Sequence, residues 1–191
     1  MITKPEKFFN QQAILSRPCP VPPKPGVYAW FFREVPGSVP LEGCVKYNGL
    51  WLLYIGISPK RPPRIGNPSR QTLRTRIRYH YRGNAEGSTL RLTLGCLLAD
   101  HLGMELRRVG NGKRMTFTKN GENILSHWMA DNAFVAWEVH KEPWLYEDEL
   151  IRTLSLPLNL EGNRSHPFWY ELSRFRASAK NQARSKPIVP N

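Results

Sequence analysis

The chain has 191 residues, of which 40% are apolar, so it is long enough to form the core of one domain and is not generally disordered. Its 28 Lys and Arg outnumber its 15 Asp and Glu and give a net charge of +13, which favours a polyanionic partner such as nucleic acid. No apolar run reaches the roughly 20 residues of a membrane span, and three cysteines without a CxxC pattern indicate a cytoplasmic protein rather than a disulfide scaffold or a structural zinc site.

The first half of the chain predicts two strands followed by two helices. Residues 1–25 are rich in proline and predict an extended lead-in. The apolar runs at 26–33 (GVYAWFFR) and 50–57 (LWLLYIGI) are too short for typical helices and predict buried, antiparallel strands. A basic loop then leads to a predicted helix at 71–82, and the spacing of leucines predicts another helix at 88–102.

The second half predicts a hairpin, a third strand and three helices. Residues 105–118 predict a hairpin that turns at a Gly-Asn-Gly sequence. A short helix near 122–130 precedes a strand at 133–140 (AFVAWEVH). Helices at 143–156 and 167–179 follow, the first of them with a proline well placed in its first turn.

This order of elements predicts an α+β fold. Successive strands that pair directly form a small three-stranded antiparallel or mixed sheet, flanked by helices, with an inserted helix and hairpin. The sequence has no GxGxxG or GxxxxGK[ST] motif, so a nucleotide-cofactor enzyme has little support. We divide the chain into a lead-in at 1–25, a core at 26–160 with an insertion at 84–132, and a C-terminal helix with a basic tail at 161–191.

Basic residues are concentrated in two segments that contain no acid. Residues 60–82 hold eight Lys or Arg, and residues 174–191 hold five more. A solvated surface explains most single charge runs, but two such runs favour nucleic-acid binding. The hairpin and the basic C-terminal segment are the candidates to enter a DNA groove. The predicted phosphate contacts are Lys60, Arg61, Arg64, Arg70, Arg74, Arg78, Arg82, Arg107, Arg108, Lys113 and Arg114.

One carboxylate of the helix at 143–156 is predicted to face the core. With 100° between successive residues, Glu147 falls on the same face as Leu150 and Ile151, whereas Asp148 and Glu149 fall on the opposite face. A buried carboxylate is costly unless it is paired, protonated or bound to a metal. A salt bridge to a core arginine therefore competes with a metal ligand or a catalytic acid as the explanation.

The helix at 71–82 presents a second polar pair. Arg76 and His80, at i and i+4, project from one edge of the apolar stripe of this helix. A guanidinium beside an imidazole can bind two phosphate oxygens and supply a proton donor or shuttle. The alternative is a helix that merely exposes its charges to water.

Each of the first two strands contributes a tyrosine in a short motif, at 26–28 (GVY) and at 54–56 (YIG). Either tripeptide alone is weak evidence, since aromatic residues in protein cores are far commoner than catalytic tyrosines. Together they resemble the two tripeptides that name the GIY-YIG nuclease superfamily, with Val in place of Ile in the first.

Three further segments resemble the same superfamily and occur in its order. Residues 73–80 (LRTRIRYH) resemble its helix, in which an arginine precedes a histidine by one turn. Residues 147–151 (EDELI) resemble its E-x-x-L-I segment, and 157–159 (PLN) resemble the P-x-N whose Asn belongs to the active site. The Arg–His pair is more similar to restriction-enzyme-like members than to repair nucleases. Residues 84–132 have no counterpart in the core motif, and such insertions tend to carry target selection in this family.

The resemblance implies a metal-dependent endonuclease that hydrolyses phosphodiester bonds of double-stranded DNA. One Mg²⁺ or Mn²⁺ per active site would be held by Glu147 and would polarise a phosphate oxygen. Tyr28 would take a proton from the attacking water as general base. Such an enzyme would serve restriction, defence or a mobile element.

The resemblance also implies roles for the other site residues. Arg76 and His80 would stabilise the charge on the pentavalent phosphorus, and Tyr54 would donate a hydrogen bond. Asn159 would orient Glu147 or a metal-bound water. The alternatives are a catalytically silent nucleic-acid-binding domain, a structure-specific DNA-repair nuclease or a protein-interaction module. A palindromic target would require a homodimer on DNA or two successive nicks.

Overall fold

The computed structural model describes residues 1–190, which form six helices and six strands. No helix in this range is long and apolar enough to cross a membrane. In chain order the elements are α1 (Gln11–Leu15), β1 (Gly26–Phe32), β2 (Lys46–Tyr47), β3 (Leu50–Ser58), α2 (Leu73–Arg82), α3 (Thr89–Leu102), β4 (Arg107–Val109), β5 (Arg114–Thr116), α4 (Thr118–Asn132), β6 (Ala133–Val139), α5 (Pro143–Thr153) and α6 (Trp169–Ser185).

β1 is a central strand of an antiparallel sheet with the order β2-β3-β1-β6. Every residue of β1 is buried, because helices cover both faces of the sheet. Side chains alternate between the faces: Tyr28 and Trp30 join the apolar cluster formed with α2, α3 and α4, whereas Val27 and Ala29 join a second cluster formed with α5. The predicted α+β class is confirmed, but this sheet has four strands rather than three.

The additional strand is β2, which pairs with the start of β3 across a tight turn. Asn48 and Gly49 form this turn and have positive φ angles of 48° and 78°. Asn-Gly is the preferred dipeptide for such a turn because both residues tolerate positive φ. The Asn-Gly dipeptide is therefore a local signal for β2, although the glycine and proline residues of the segment between β1 and β3 predict a loop.

The other predicted strands and helices are present, with ends that differ by a few residues. Thr72 caps α2, and α4 and α6 continue beyond the predicted helices. α5 ends earlier, at Thr153, and the chain is extended before Pro157. The predicted hairpin is confirmed as β4 and β5, and the turn has positive φ at Gly110 and Gly112.

The N-terminal segment packs against the sheet and is not simply extended. It contains α1, and its residues Ile2, Ile14 and Val21 are buried in the apolar clusters. Phe9 pairs with Val135 through two backbone hydrogen bonds of 3.0 and 2.9 Å. The segment thereby covers the outer edge of β6, which would otherwise expose unpaired backbone groups.

Within the insertion at 84–132, a buried ion pair joins Arg91 on α3 to Glu122 on α4, and Arg91 also bonds to the end of α2 in the core. The Arg91 side chain is fully buried and donates to the Glu122 carboxylate at 2.7 and 2.9 Å. It also donates to the backbone oxygens of Glu122, His80 and Tyr81. All five N–H donors of the guanidinium therefore have acceptors, as burial of such a charge requires.

We expect Arg91→Met to lower the free energy of unfolding by about 3–5 kcal/mol, because it leaves the Glu122 carboxylate buried without its partner. Urea denaturation followed by circular dichroism measures the change. Arg61→Met is the matched control, since Arg61 pairs with Asp148 at the surface and its loss should cost less than about 1 kcal/mol. Equal losses in the two variants would contradict a special role for the buried pair.

Candidate active site

The two motif tyrosines lie on the same face of the sheet. In the register of β1 with β3, Tyr28 is opposite Gly56 and Trp30 is opposite Tyr54. Side chains on one face of a strand repeat every second residue, so Tyr28 and Tyr54 are diagonal neighbours. Both rings are buried, and burial raises the pKa of both hydroxyls.

Gly56 provides the space that the Tyr28 ring occupies. A Cβ atom built on Gly56 would lie 2.5 Å from the Tyr28 hydroxyl oxygen and 2.7 Å from its Cζ atom. Real side chains do not approach so closely, so the ring would have to move. The glycine of the YIG tripeptide is therefore required by the tyrosine of the GVY tripeptide.

His80 lies behind Tyr28 and is fully buried. Its Nε2 atom is 2.8 Å from the Tyr28 hydroxyl, and its Nδ1 atom is 2.7 Å from the hydroxyl of Ser88. Burial, reinforced by the positive charges of Arg76 and Arg91, lowers the pKa of His80 well below its ordinary value. The imidazole is therefore neutral near pH 7. With both ring nitrogens bonded inside the protein, His80 does not form the predicted phosphate clamp beside Arg76.

Arg76 is a cation close to both tyrosines. Its side chain is partly exposed and donates to the Gly87 backbone oxygen at 2.7 Å. Burial opposes its charge, but the nearby hydroxyls of Tyr28 and Tyr54 outweigh burial and raise the pKa of Arg76. Arg76 therefore stays charged, and its free N–H groups can meet an incoming anion.

Glu147 approaches from α5 and is half-buried, whereas Asp148 and Glu149 are exposed, so the orientation predicted by the helical wheel is confirmed. Burial, together with the negative charges of Glu161 and Asp148, raises the pKa of Glu147 to about 7. Within residues 1–190 its carboxylate makes no hydrogen bond or ion pair. The alternative of a salt bridge to a core arginine is not realised, because the core arginine pairs with another carboxylate.

The surroundings of Glu147 fit a divalent cation held by a single protein ligand. An unpaired, half-buried carboxylate is a suitable oxygen donor, and Mg²⁺ commonly keeps several waters and takes further oxygens from a substrate phosphate. Among the residues that the structure describes, no group of three or more His, Cys, Asp or Glu side chains could form a dedicated metal cage. Among the described residues, Glu147 is therefore the single protein ligand that we predict for the divalent cation.

Asn159 supports β3 and does not point its polar groups at Glu147. Its Oδ1 atom accepts from the Ile55 backbone N–H at 2.9 Å, and its Nδ2 atom donates to the Ile55 oxygen at 2.8 Å. These two bonds imitate a neighbouring strand at the edge of β3, directly after Tyr54. The expectation that Asn159 orients Glu147 or a metal-bound water is therefore replaced by a role in positioning the YIG segment.

Three residues near the site were not selected from the sequence. Ser88 contacts His80, Thr89 contacts the Tyr54 hydroxyl at 3.4 Å, and Arg176 on α6 lies close enough to influence Tyr54 electrostatically. Arg176 is partly buried and has no hydrogen-bond or ion-pair partner in the described range. Arg176 follows the buried Leu172 by four residues, so helical periodicity places both residues on the inward face of α6. This spacing is the feature of the sequence from which Arg176 could have been selected.

Of the basic residues predicted to contact phosphate, some already bond to other groups of the protein and others do not. Arg74 and Arg78 donate to backbone oxygens of the N-terminal segment, at 2.6 and 2.9 Å. Arg107 and Arg108 donate to backbone oxygens near the end of α6. Lys60 and Arg61 form surface ion pairs with the acids Glu161 and Asp148 near Glu147. Exposed cations whose side chains have no bonded partner in residues 1–190 are Arg64, Arg70, Arg82, Lys113 and Arg114.

Comparison with known proteins identifies the family. A family model described as the GIY-YIG catalytic domain matches residues 26–178, from the first strand into α6. Searches of curated proteins and of solved structures find no match. Because the family match covers most of the chain and begins at the glycine of the GVY tripeptide, this chain belongs to the GIY-YIG nuclease superfamily.

Proposed function

We propose that the chain is a metal-dependent endonuclease that hydrolyses double-stranded DNA. The observation that carries this proposal is that Glu147, an unpaired, half-buried carboxylate, and the Arg76 guanidinium both lie close enough to Tyr28 to shift the pKa of its hydroxyl, in opposite directions. A carboxylate ligand, a candidate base and a cation are the groups that phosphodiester hydrolysis needs. Exposed cations around the site would bind the flanking phosphates.

Tyr28 would accept the proton of the attacking water. A neutral phenol is a weak base, so the reactive form is the phenolate, which burial makes scarce at neutral pH. The Arg76 guanidinium opposes this effect, because its positive charge favours the phenolate. The same guanidinium can bind a non-bridging phosphate oxygen and stabilise the charge that develops during attack. Tyr54 would donate a hydrogen bond beside it.

Glu147 would hold the divalent cation. Mg²⁺ or Mn²⁺ bound there would supply Lewis-acid stabilisation of phosphate charge. Asp148 and Glu161, which are paired with Arg61 and Lys60, surround this carboxylate with further negative charge. We infer that these cations exchange their acidic partners for DNA phosphates when substrate binds.

A role in restriction, defence or a mobile element remains our proposal for the biological function, in the cytoplasm and with a possible homodimer on DNA. The exposed cations of the hairpin, Lys113 and Arg114, support the idea that the insertion contacts DNA. Discrete fragments from phage or plasmid DNA would favour a restriction enzyme. Smears or structure-dependent nicks would favour a repair or mobile-element nuclease.

The decisive experiment compares Glu147→Gln with Glu149→Gln. Glu149 is an exposed acid of the same helix, so its variant loses the same charge without affecting the site. On supercoiled plasmid with Mg²⁺, we expect Glu147→Gln to cut at least about 100-fold more slowly, because the metal provides several kcal/mol of stabilisation. Glu149→Gln should cut within about twofold of the wild-type rate.

The controls use EDTA and a binding assay. The wild-type protein should bind DNA with or without EDTA and cut it only with the metal. Binding without any cleavage of mixed-sequence DNA would support the silent binding domain. Cleavage that persists in Glu147→Gln would overturn the metal assignment, even if the protein proved to be a nuclease.

Metal affinity should depend on pH through Glu147. A metal binds the ionised carboxylate, and the pKa near 7 means that protons compete with the metal below that pH. We expect the apparent affinity for Mn²⁺ to rise between pH 6 and 8, by at most about tenfold per pH unit. Isothermal titration without DNA measures it. The rise should disappear in Glu147→Gln, and an unchanged pH dependence in that variant would contradict the assignment.

Gly56→Ala should impair cleavage by displacing Tyr28. The added methyl group overlaps the Tyr28 ring, and misplacement of a catalytic group by about 1 Å can reduce the rate about 100-fold. Single-turnover cleavage measures this loss, and the thermal melt reports any change in folding. Gly37→Ala is the matched control, because nothing lies within 4 Å of a Cβ at Gly37. Equal rates in both variants would show that the space beside Gly56 is not needed.

A further inference from the structure

Two cations of α6 are withdrawn from solvent without a bonded partner. Nine of the 28 Lys and Arg residues are buried or half-buried rather than exposed. Seven of the nine donate to a backbone oxygen or a carboxylate: Arg74, Arg76, Arg78, Arg91, Arg107, Arg108 and Lys186. Within residues 1–190, the other two, Arg176 and Lys180, have no such acceptor. They lie one helical turn apart, and we call them the α6 pair.

Arg176 belongs to the stripe of α6 that faces the core. It follows the fully buried Leu172 by four residues and precedes the fully buried Ala183 by seven. Residues with these spacings share one face of a helix, and α6 packs along α3. The half-buried position of Arg176 is therefore set by the packing of α6 and not by the mobility of a surface side chain.

The α6 pair starts beside Tyr54. Thr89, the first residue of α3, lies 3.4 Å from the Tyr54 hydroxyl, and Cys96 follows two helical turns later on the same face of α3. The charge of Arg176 acts on both the Tyr54 hydroxyl and the Cys96 thiol, and the charge of Lys180 acts on the Cys96 thiol. The pair thus extends along α3 from the candidate active site.

No group of the protein in the described range neutralises the α6 pair. Burial raises the pKa of the Cys96 thiol to about 11 and also raises the pKa of Tyr54, so both groups are uncharged near pH 7. Burial lowers the pKa of Arg176, but a guanidinium stays protonated at neutral pH. An anion would give these partly desolvated cations the charge-assisted hydrogen bonds that they lack.

We propose that the α6 pair binds neighbouring backbone phosphates of the DNA strand held beside Tyr54, and that Arg176 thereby aligns this strand for cleavage. The proposed nuclease function supplies the identity of this ligand. One DNA strand carries a phosphate for about every 3.4 Å of helix axis, and residues one turn apart on a helix have Cβ atoms about 5–6 Å apart. The planar Arg176 guanidinium can bind two oxygens of one phosphate, and the flexible Lys180 ammonium can meet the next phosphate.

The salt dependence of DNA binding tests the pair without any cleavage. Fluorescence anisotropy of a labelled duplex in EDTA gives the slope of log affinity against log salt concentration, to which each phosphate contact contributes about 0.9. We expect Arg176→Met to make the slope shallower by about 0.9. The double variant Arg176→Met, Lys180→Met should make it shallower by about 1.8. Slopes equal to that of the wild-type protein in both variants would overturn the proposal.

Three controls separate phosphate binding from other effects of the substitution. Arg17 is exposed and has no bonded partner in residues 1–190, so Arg17→Met removes one charge and should leave the slope unchanged. Arg176→Lys keeps the charge and should keep the slope. Arg176→Met should melt no lower than the wild-type protein, because it removes an unpaired, half-buried charge. An equal change of slope in Arg17→Met, or a lower melting temperature of Arg176→Met with an unchanged slope, would overturn the proposal.

Cleavage with Mg²⁺ tests the alignment of the strand. At saturating DNA we expect Arg176→Met to cut about tenfold more slowly in a single turnover, because a displaced strand no longer meets the site correctly. Arg17→Met should cut at the wild-type rate, and a wild-type rate in Arg176→Met would overturn the alignment role. If the slopes change as expected but the wild-type protein cuts no DNA, the nuclease function fails and the phosphate contacts stand. If the wild-type protein cuts DNA and the slopes do not change, the α6 pair alone is refuted, and wild-type protein that binds no duplex at low salt would refute both.

Discussion

The buried chain of hydrogen bonds from Tyr28 through His80 to Ser88 joins β1, α2 and α3. Arg91 supports it twice, since its backbone N–H bonds to Ser88 and its guanidinium bonds to the His80 oxygen. Because Arg91 is also paired with Glu122, this series of hydrogen bonds is connected to α4 as well. The insertion at 84–132, for which the family resemblance implies target selection, thus also supports the candidate active site.

The sheet divides the site into two electrostatic halves. On the face covered by α2 and α3, a neutral His80 and a charged Arg76 surround the tyrosines. The other half is acidic: Glu147 approaches from α5, and its neighbours Asp148 and Glu161 are also acidic. Cations favour phenolate and phosphate charge, and clustered acids favour a metal ion. Keeping the two sets on different elements prevents Arg76 from pairing with Glu147, the carboxylate that we propose as the metal ligand.

Local patterns in the sequence predicted the strands other than β2, helix α2 and the inward position of Glu147, because alternation and helical periodicity report which side of an element is buried. The same patterns could not show that the imidazole of His80 is enclosed, or that Arg91 and Glu122, distant in sequence, form a pair. They also could not show that Asn159 bonds to the backbone of β3. These facts depend on contacts between elements, on which periodicity carries no information.

The N-terminal segment has a practical consequence for work with this protein. It supplies the backbone oxygens that bind Arg74 and Arg78 and the edge partner of β6. A shortened chain trimmed to the family-matched residues 26–178 would lose both. Two guanidinium groups would then be free to bind any polyanion, and an open strand edge could pair with another copy. We expect such a fragment to bind polyanions less selectively and to self-associate, so its binding data would not represent the 191-residue chain.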